Sequence, residues 1–142
     1  MYVISKKLKT KIEGLGEYLT LNLDCFSRHS SDFKNNDFLH PKLNKGYFAG
    51  GNKHLGQEGR IMLTSNLTPD KETGIGTWSN DNFVNAVNYD RKKGENALSY
   101  PMTAYNQLTD KEAEAVFKYL QTIPAIKNKV ERSVYNETIY IN

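Results

Sequence analysis

The chain contains a single cysteine, Cys25, which stands four residues before the histidine His29. One cysteine excludes an intramolecular disulfide and a zinc site built from several cysteines. Cys25 is therefore a buried thiol, a reactive thiol or an attachment point for another group. The c-type haem attachment motif, C-x-x-C-H, forms two thioethers and offers its histidine to the iron. Cys25 and His29 have that separation, whereas Arg28 occupies the position of the second cysteine.

Length and composition indicate one ordinary domain. The 142 residues are enough to bury one core and few for two. The apolar fraction of 38% suits a globular protein, while the mean hydropathy of -0.66 predicts many polar loops or surface that another group covers. A bound macrocycle could be that covering group and could supply part of the apolar core. We predict a domain over residues 9–126, an N-terminal arm over residues 1–8 and a tail over residues 127–142.

Charge and hydropathy argue against a nucleic-acid-binding protein and against a membrane span within this sequence. The formal net charge of +3 is modest, and the basic run from Ser5 to Lys11 is typical of a solvated helix face or arm. The sequence shows no cluster of basic residues on a recognition element and no aromatics interleaved with them, so nucleic-acid binding is not expected. No window approaches the roughly 18 apolar residues of a membrane span. Met1 to Thr20 lacks the apolar region of a secretory signal.

Three segments have the apolar periodicity of amphipathic helices. The first spans Lys9 to Asn22. The second covers Asp81 to Tyr89, with Ser79 as its N-terminal cap. The third begins at the capping box that Thr109 forms with Glu112. The segment from Ser30 to Gly59 is predicted to be a loop. The segment from Arg60 to Thr64 is predicted to be short and extended.

Two glycines in the first helix predict a close contact between helices. Gly14 and Gly16 would each cost that helix about 1 kcal/mol relative to alanine. A helix that keeps such residues usually uses at least one of them where another element approaches closely. We therefore predict that the first and last helices cross with Gly14 or Gly16 beneath Phe117 or Tyr119.

Two further stretches accompany the pair formed by Cys25 and His29. A turn-rich middle from Asn66 to Trp78 includes Asn-Leu-Thr-Pro-Asp and Gly-Ile-Gly-Thr-Trp, and Tyr100-Pro101-Met102 precedes the capped final helix. In this order the three stretches resemble class I cytochrome c domains. More narrowly, they are similar to the monohaem domains related to the cytochrome subunits of bacterial alcohol and aldehyde dehydrogenases. The resemblance runs from about Gly14 to Val130, and its middle stretch is the most specific part.

This resemblance implies an all-α class I cytochrome c fold, with three main helices and long loops around one haem. His29 would be the proximal ligand of the iron and Met102 the distal ligand. Cys25 would form a thioether to one haem vinyl group. Trp78 would either donate its indole N–H to a haem propionate, as the resemblance suggests, or bond to a backbone partner in the core.

Other residues of the same types have plainer interpretations. Met62 lies on an apolar run and is either a core residue or a rival to Met102 as the distal ligand. His40 and His54 stand among polar loop residues and are expected to be exposed. Asn66 begins an Asn-Leu-Thr triplet that matches a glycosylation acceptor, although bonding within its own turn is the expected role.

Arg28 leaves the covalent chemistry open, because a guanidinium group cannot form a thioether. Three outcomes remain. The haem is held by a single thioether through Cys25, it is held without a covalent bond by His29 and Met102, or the domain has lost haem. Iron ligation itself does not require a cysteine at position 28.

The resemblance implies electron transfer. Histidine and methionine fill both axial positions of the iron and leave no open site for a substrate, which favours an electron carrier, or the electron-exit domain of an oxidoreductase, over an enzyme. The partner would be a dehydrogenase or an oxidase in the periplasm or another extracytoplasmic compartment. Export and any membrane association would use a segment outside the numbered chain. Two alternatives stay open: a cytochrome-like interaction module that has lost haem, and a thiol enzyme that uses Cys25 and His29.

Overall fold

The computed structural model describes residues 11–55, 60–89, 105, 107–131 and 133–135. Within them lie four α-helices, two short 3₁₀ turns and three short strands. The helices are α1 (Lys11–Asn22), α2 (Cys25–His29), α3 (Asn80–Tyr89) and α4 (Asp110–Leu120). The strands are β1 (Lys53–Leu55), β2 (Arg60–Leu63) and β3 (Ser133–Tyr135), and the 3₁₀ turns are Phe33–Asn35 and Pro41–Leu43.

The two later helices begin where their caps predict. Thr109 Oγ1 accepts a hydrogen bond from the backbone N–H of Glu112 at 3.1 Å, and the Glu112 carboxylate accepts from the backbone N–H of Thr109 at 3.2 Å. This is the predicted capping box of α4. Ser79 Oγ accepts from the backbone N–H of Asn82 at 3.1 Å and so caps α3. Both predictions are confirmed, since each capping side chain accepts from the backbone N–H three residues later.

Helices α1 and α4 cross closely at Gly16. A Cβ atom added to Gly16 would lie 2.0 Å from the carbonyl oxygen of Ala115 and 2.7 Å from Cβ of Tyr119. No side chain fits in that space, so the predicted glycine crossing is confirmed for Gly16 and Tyr119. The buried hydroxyl of Tyr119 also shares a hydrogen bond of 2.7 Å with the hydroxyl of Tyr47, which joins the crossing to the loop after α2.

The hydrophobic core lies between the helices and extends under the loop after α2. On one side, Phe83 of α3 packs against Phe117 of α4, with ring centroids 5.3 Å apart. On the other side, the loop contributes Tyr47 and Phe48, whose ring centroids are 4.6 Å apart. The remaining large buried side chains of this cluster come from all parts of the described chain: Leu19, Phe26, Ile75, Val116, Tyr119, Leu120 and Ile123.

A small antiparallel sheet accompanies the helices, with strand order β1-β2-β3. Residues 60–63 are extended as predicted, and Met62 pairs with His54 of β1 and with Ser133 of β3. The sequence did not indicate β3, which comes from the apolar segment near the end of the chain and pairs with a strand about 70 residues earlier. Among the described residues, no helix is both long enough and apolar enough to cross a bilayer.

Candidate functional site

Helix α2 carries the two residues that the sequence singled out, Cys25 and His29. It has five residues and follows Asp24, whose backbone is left-handed with φ of 61°. A helix this short gains too few hydrogen bonds to be stable alone, so its contacts with the rest of the domain hold it in place. Phe26 is 1% exposed and packs its ring against the core residues Tyr47 and Phe48, with ring centroids 5.8 and 6.2 Å apart. Phe26 therefore anchors α2 to the core.

The imidazole of His29 is buried and is hydrogen-bonded to a backbone carbonyl. Only 8% of the residue is exposed, and its Nδ1 lies 2.9 Å from the carbonyl oxygen of Ser65. A carbonyl oxygen can only accept, so Nδ1 carries the hydrogen in this pair. In the neutral ring Nε2 then has the lone pair. A histidine that ligates a metal is held in the same way, with one ring nitrogen donating to a carbonyl and the other facing the metal.

The loop of residues 46–52 is tied to the end of α2. Ser31 Oγ donates to the carbonyl of Gly50 at 2.7 Å, and Ser30 Oγ accepts from the backbone N–H of Phe48 at 2.9 Å. Phe48 itself is fully buried with a left-handed backbone, φ 59°, which is uncommon for a bulky residue and costs conformational energy. The packing of its ring in the core offsets that cost. The site around His29 is thus built from chain segments 29–31, 46–52 and 64–65.

Cys25 is half-buried against the core. Burial raises the pKa of its thiol from 9.0 to about 12, with the nearby Arg28 guanidinium lowering it and the Asp24 carboxylate raising it. The thiol is therefore protonated at neutral pH. Because a thiol enzyme needs a thiolate, this environment disfavours the interpretation of Cys25 and His29 as a catalytic pair.

We expect slow alkylation of Cys25 in folded protein that lacks covalently bound haem. At pH 8, a thiol with a pKa of about 12 has about 1,000-fold less thiolate than a thiol with a pKa of 9.0. Iodoacetamide labelling at pH 8, followed by mass spectrometry, should be many-fold slower in the native chain than in the chain unfolded in urea, because the lower thiolate fraction outweighs the higher nucleophilicity of a more basic thiolate. Equal labelling rates in the two states would contradict the buried, protonated thiol.

Asn66 is the centre of a hydrogen-bonded turn rather than a surface acceptor. Its Oδ1 accepts from the backbone N–H and the hydroxyl of Thr68, at 2.9 and 2.7 Å. Its Nδ2 donates to the carbonyl of Ile126 at 2.8 Å and to the hydroxyl of Thr73 at 3.1 Å. The prediction that Asn66 bonds within its turn is confirmed. Glycosylation of the folded protein at this position is excluded, because the amide nitrogen is buried and fully used.

The glycines after this turn are required by close backbone approach. A Cβ atom on Gly74 would lie 2.1 Å from the carbonyl oxygen of Thr68. A Cβ atom on Gly76 would lie 2.3 Å from the carbonyl oxygen of Pro69. The Gly-Ile-Gly spacing therefore has a steric reason, since Ile75 is buried in the core between two positions that cannot carry a side chain.

The other residues proposed from the sequence are placed as follows. Trp78 is half-buried against the core, and its backbone N–H donates to the carbonyl of Ile75 at 3.1 Å. The proposals that its indole N–H donates to a haem propionate or to a backbone partner both stay predictions. Met102, together with Tyr100 and Pro101, lies outside the described residues. His40 is exposed, as predicted, and lies 3.2 Å from the Asp37 carboxylate.

Sequence reasoning missed two residues that shape the site. Ser65 acts through its carbonyl oxygen, which every residue possesses, so its identity carries no signal. Asn52 follows Gly50 and Gly51, whose left-handed backbones have φ of 74° and 93°. Two adjacent glycines mark a sharp change of chain direction and could have drawn attention to the polar side chain after them.

The described residues fit a c-type haem in the chemistry of their donors. His29 is a buried imidazole whose Nδ1 is hydrogen-bonded to a backbone carbonyl, and Cys25 lies one helical turn before it. A bound haem would also cover apolar surface, in agreement with the low mean hydropathy of the chain.

The chain is also similar in sequence to cytochrome subunits of known dehydrogenases. The chain is 35% identical over 107 residues to the gluconate 2-dehydrogenase cytochrome c subunit of Pantoea cypripedii, an alignment that covers 73% of this chain and 21% of that subunit. It is 30% identical over 109 residues to the fructose dehydrogenase cytochrome subunit of Gluconobacter japonicus, covering 75% of this chain and 20% of that subunit. Over 70 residues it is 29% identical to a nicotinate dehydrogenase subunit of Pseudomonas putida, covering 48% of this chain and 6% of the relative.

The chain therefore spans about a fifth of the length of the two cytochrome subunits. No protein-family model matches it. The helices agree with the cytochrome c fold of these relatives, and the fold class predicted from the sequence is confirmed; the small sheet is an addition to it. The fold and the similarity to the cytochrome subunits of two dehydrogenases together support a cytochrome c-like domain.

Proposed function

We propose that this domain binds one haem and transfers single electrons for a dehydrogenase. The observation that carries the proposal is the hydrogen bond of 2.9 Å between His29 Nδ1 and the Ser65 carbonyl, in a chain similar to dehydrogenase cytochrome subunits. That bond prepares Nε2 of His29 as a ligand. Electron transfer is fast when the ligand geometry changes little between the two iron states. It therefore needs a rigid ligand more than a reactive one.

His29 and Met102 are the proposed axial ligands. Imidazole and thioether sulfur form a stable low-spin pair on haem iron, and such a haem supplies a one-electron couple of raised potential. If His29 and Met102 both ligated the iron, the residues of this chain would hold and insulate the haem, and no ligand position would be open to a substrate. An electron carrier, or the electron-exit domain of a larger oxidoreductase, follows from that ligation.

Cys25 is the proposed attachment point. Its sulfur and its proton would add across one vinyl double bond, so that a carbon–sulfur bond forms and the proton goes to the other vinyl carbon. Arg28 would leave the second vinyl group unreacted. Covalent attachment of this kind belongs to exported proteins, so we place the domain in the periplasm or another extracytoplasmic compartment. The similarity to subunits named for gluconate and fructose dehydrogenases motivates a dehydrogenase as the redox partner.

An absorption spectrum tests haem binding itself. The purified protein should show haem bands in the oxidised state and sharp low-spin bands after reduction with dithionite. A colourless protein that takes up no added haemin would refute the proposal and support the alternative of an interaction module without haem, for which Arg28 is the sequence argument.

Replacing the distal ligand tests the ligand assignment. We expect Met102→Ala to abolish the weak far-red band of ferric iron bound to sulfur and to lower the reduction potential. Met62→Ala is the matched control, because Met62 lies in β2 of the small sheet. The far-red band should survive in that variant. Loss of the band in Met62→Ala and its survival in Met102→Ala would reverse the assignment.

A further inference from the structure

Asn52 bonds to the chain on both sides of His29. Its side-chain amide Nδ2 donates to the carbonyl of Arg28 at 2.9 Å and also to the carbonyl of Ser30. These are the two residues that flank His29, and Asn52 is itself buried. The last turn of α2 leaves such carbonyls without partners inside the helix, so the amide of Asn52 completes the helix end on either side of the histidine.

The backbone of Asn52 holds the acceptor side of the His29–Ser65 hydrogen bond. Its N–H donates to Thr64 Oγ1 at 3.0 Å, and its carbonyl accepts from the backbone N–H of Thr64 at 3.0 Å. Gly51 adds a third bond, from its N–H to the Thr64 carbonyl at 2.8 Å. Ser65, whose carbonyl accepts from His29, is the next residue. One residue thus fixes the donor and the acceptor of the His29 hydrogen bond relative to each other.

We propose that Asn52 is a positioning residue that sets the strength of the His29–Ser65 hydrogen bond and thereby tunes the electron donation of His29 to iron. The inference rests on the proposed function. A stronger bond from Nδ1–H to a carbonyl makes the imidazole a better donor, and a better donor stabilises ferric iron over ferrous iron. Loosening the bond should therefore raise the reduction potential.

The substitution Asn52→Leu tests this role, because leucine has nearly the shape of asparagine but donates no hydrogen bonds. The matched control is Asn88→Leu. Asn88 is also buried and donates its Nδ2 to a backbone carbonyl, that of Leu108 at 3.0 Å, but it joins α3 to the start of α4. Both variants lose a buried amide that bonds to backbone, so they share the general cost in stability. Asn52→Ser, which keeps one donor, is the milder variant if leucine prevents folding.

Two measurements separate positioning from plain stability. In NMR spectra of the chain as purified, reduced if it carries haem, the His29 Nδ1–H proton should exchange with water about tenfold faster in Asn52→Leu than in wild type. It should be unchanged in Asn88→Leu. The reduction potential should rise in Asn52→Leu, rise less in Asn52→Ser and stay at the wild-type value in Asn88→Leu.

The inference is overturned if Asn52→Leu leaves the Nδ1–H exchange rate unchanged, or if both leucine variants shift the exchange rate and the potential equally. A wild-type chain that binds no haem gives a different result. It would refute the proposed function, while the exchange rate in the haem-free chain would still decide whether Asn52 holds the histidine.

Discussion

Gly16→Ala should destabilise the protein by about 3 kcal/mol, the upper end of the usual range for overpacking. The added methyl carbon would lie 2.0 Å from the carbonyl oxygen of Ala115 and 2.7 Å from Cβ of Tyr119. A backbone oxygen cannot rotate aside as a flexible side chain can, so α1 and α4 would have to separate. That movement would also stretch the hydrogen bond of 2.7 Å between the Tyr119 and Tyr47 hydroxyls. Thermal and chemical unfolding measure the loss.

Gly14→Ala is the matched control for this prediction. Gly14 lies in the same helix and is half-exposed. Alanine favours a helix over glycine by about 1 kcal/mol, so Gly14→Ala should leave stability unchanged or raise it. A loss at Gly16 below about 0.5 kcal/mol, the level of an ordinary surface substitution, would mean that the two helices do not cross as closely as described.

Arg28→Cys should convert the haem attachment to the two-thioether form. A vinyl group that has not reacted conjugates with the porphyrin and shifts absorption to the red. The native protein should therefore give a pyridine haemochrome band between those of two-thioether haem and free haem if Cys25 has reacted, and at the free-haem position if it has not. Arg28→Cys, expressed with an export leader and a haem-attachment system, should move the band to the two-thioether position and make haem resist extraction with acidic acetone.

Ser27→Cys provides the matched control for Arg28→Cys. It places the same thiol in the same helix one residue earlier, and successive residues of a helix point in different directions. Only the cysteine at position 28 should add a bond. The fixed positive charge of Arg28 disfavours ferric iron. Replacing Arg28 removes this charge, so the reduction potential should fall in that variant. A native protein that already shows the two-thioether band would refute this attachment model.

The sequence predicted features that depend on neighbouring residues. The caps at Ser79 and Thr109 were predictable because a cap bonds to residues within one turn. The crossing at Gly16 was predictable because a glycine inside a helix costs stability and so usually has a packing reason. In the site, the sequence singled out Cys25 and His29 by their separation, and the structure adds that both lie on one short helix.

Features that depend on distant segments could not be predicted in the same way. Pairing of β2 with β3 brings Ile61 to Val134, and short extended segments carry no signal of their partner. The acceptor for His29 is a backbone carbonyl 36 residues later, so no side-chain type marks it. Asn52 acts through carbonyls 22 and 24 residues earlier, and its role appears only when the loop is folded against α2.

The turn around Asn66 has a consequence for the order in which the chain can assemble. Asn66 and Thr68 bond to the carbonyl of Ile126, and Asn128 donates its backbone N–H to Thr73 Oγ1 at 2.9 Å, contacts that span between 55 and 60 residues. During synthesis, which proceeds from the N-terminus, these long-range bonds cannot all form until residue 128 has emerged. Contacts of such long separation also slow folding, because a large loop must close before they form. The segment next to Ser65 should therefore reach its final form only after the whole domain is made.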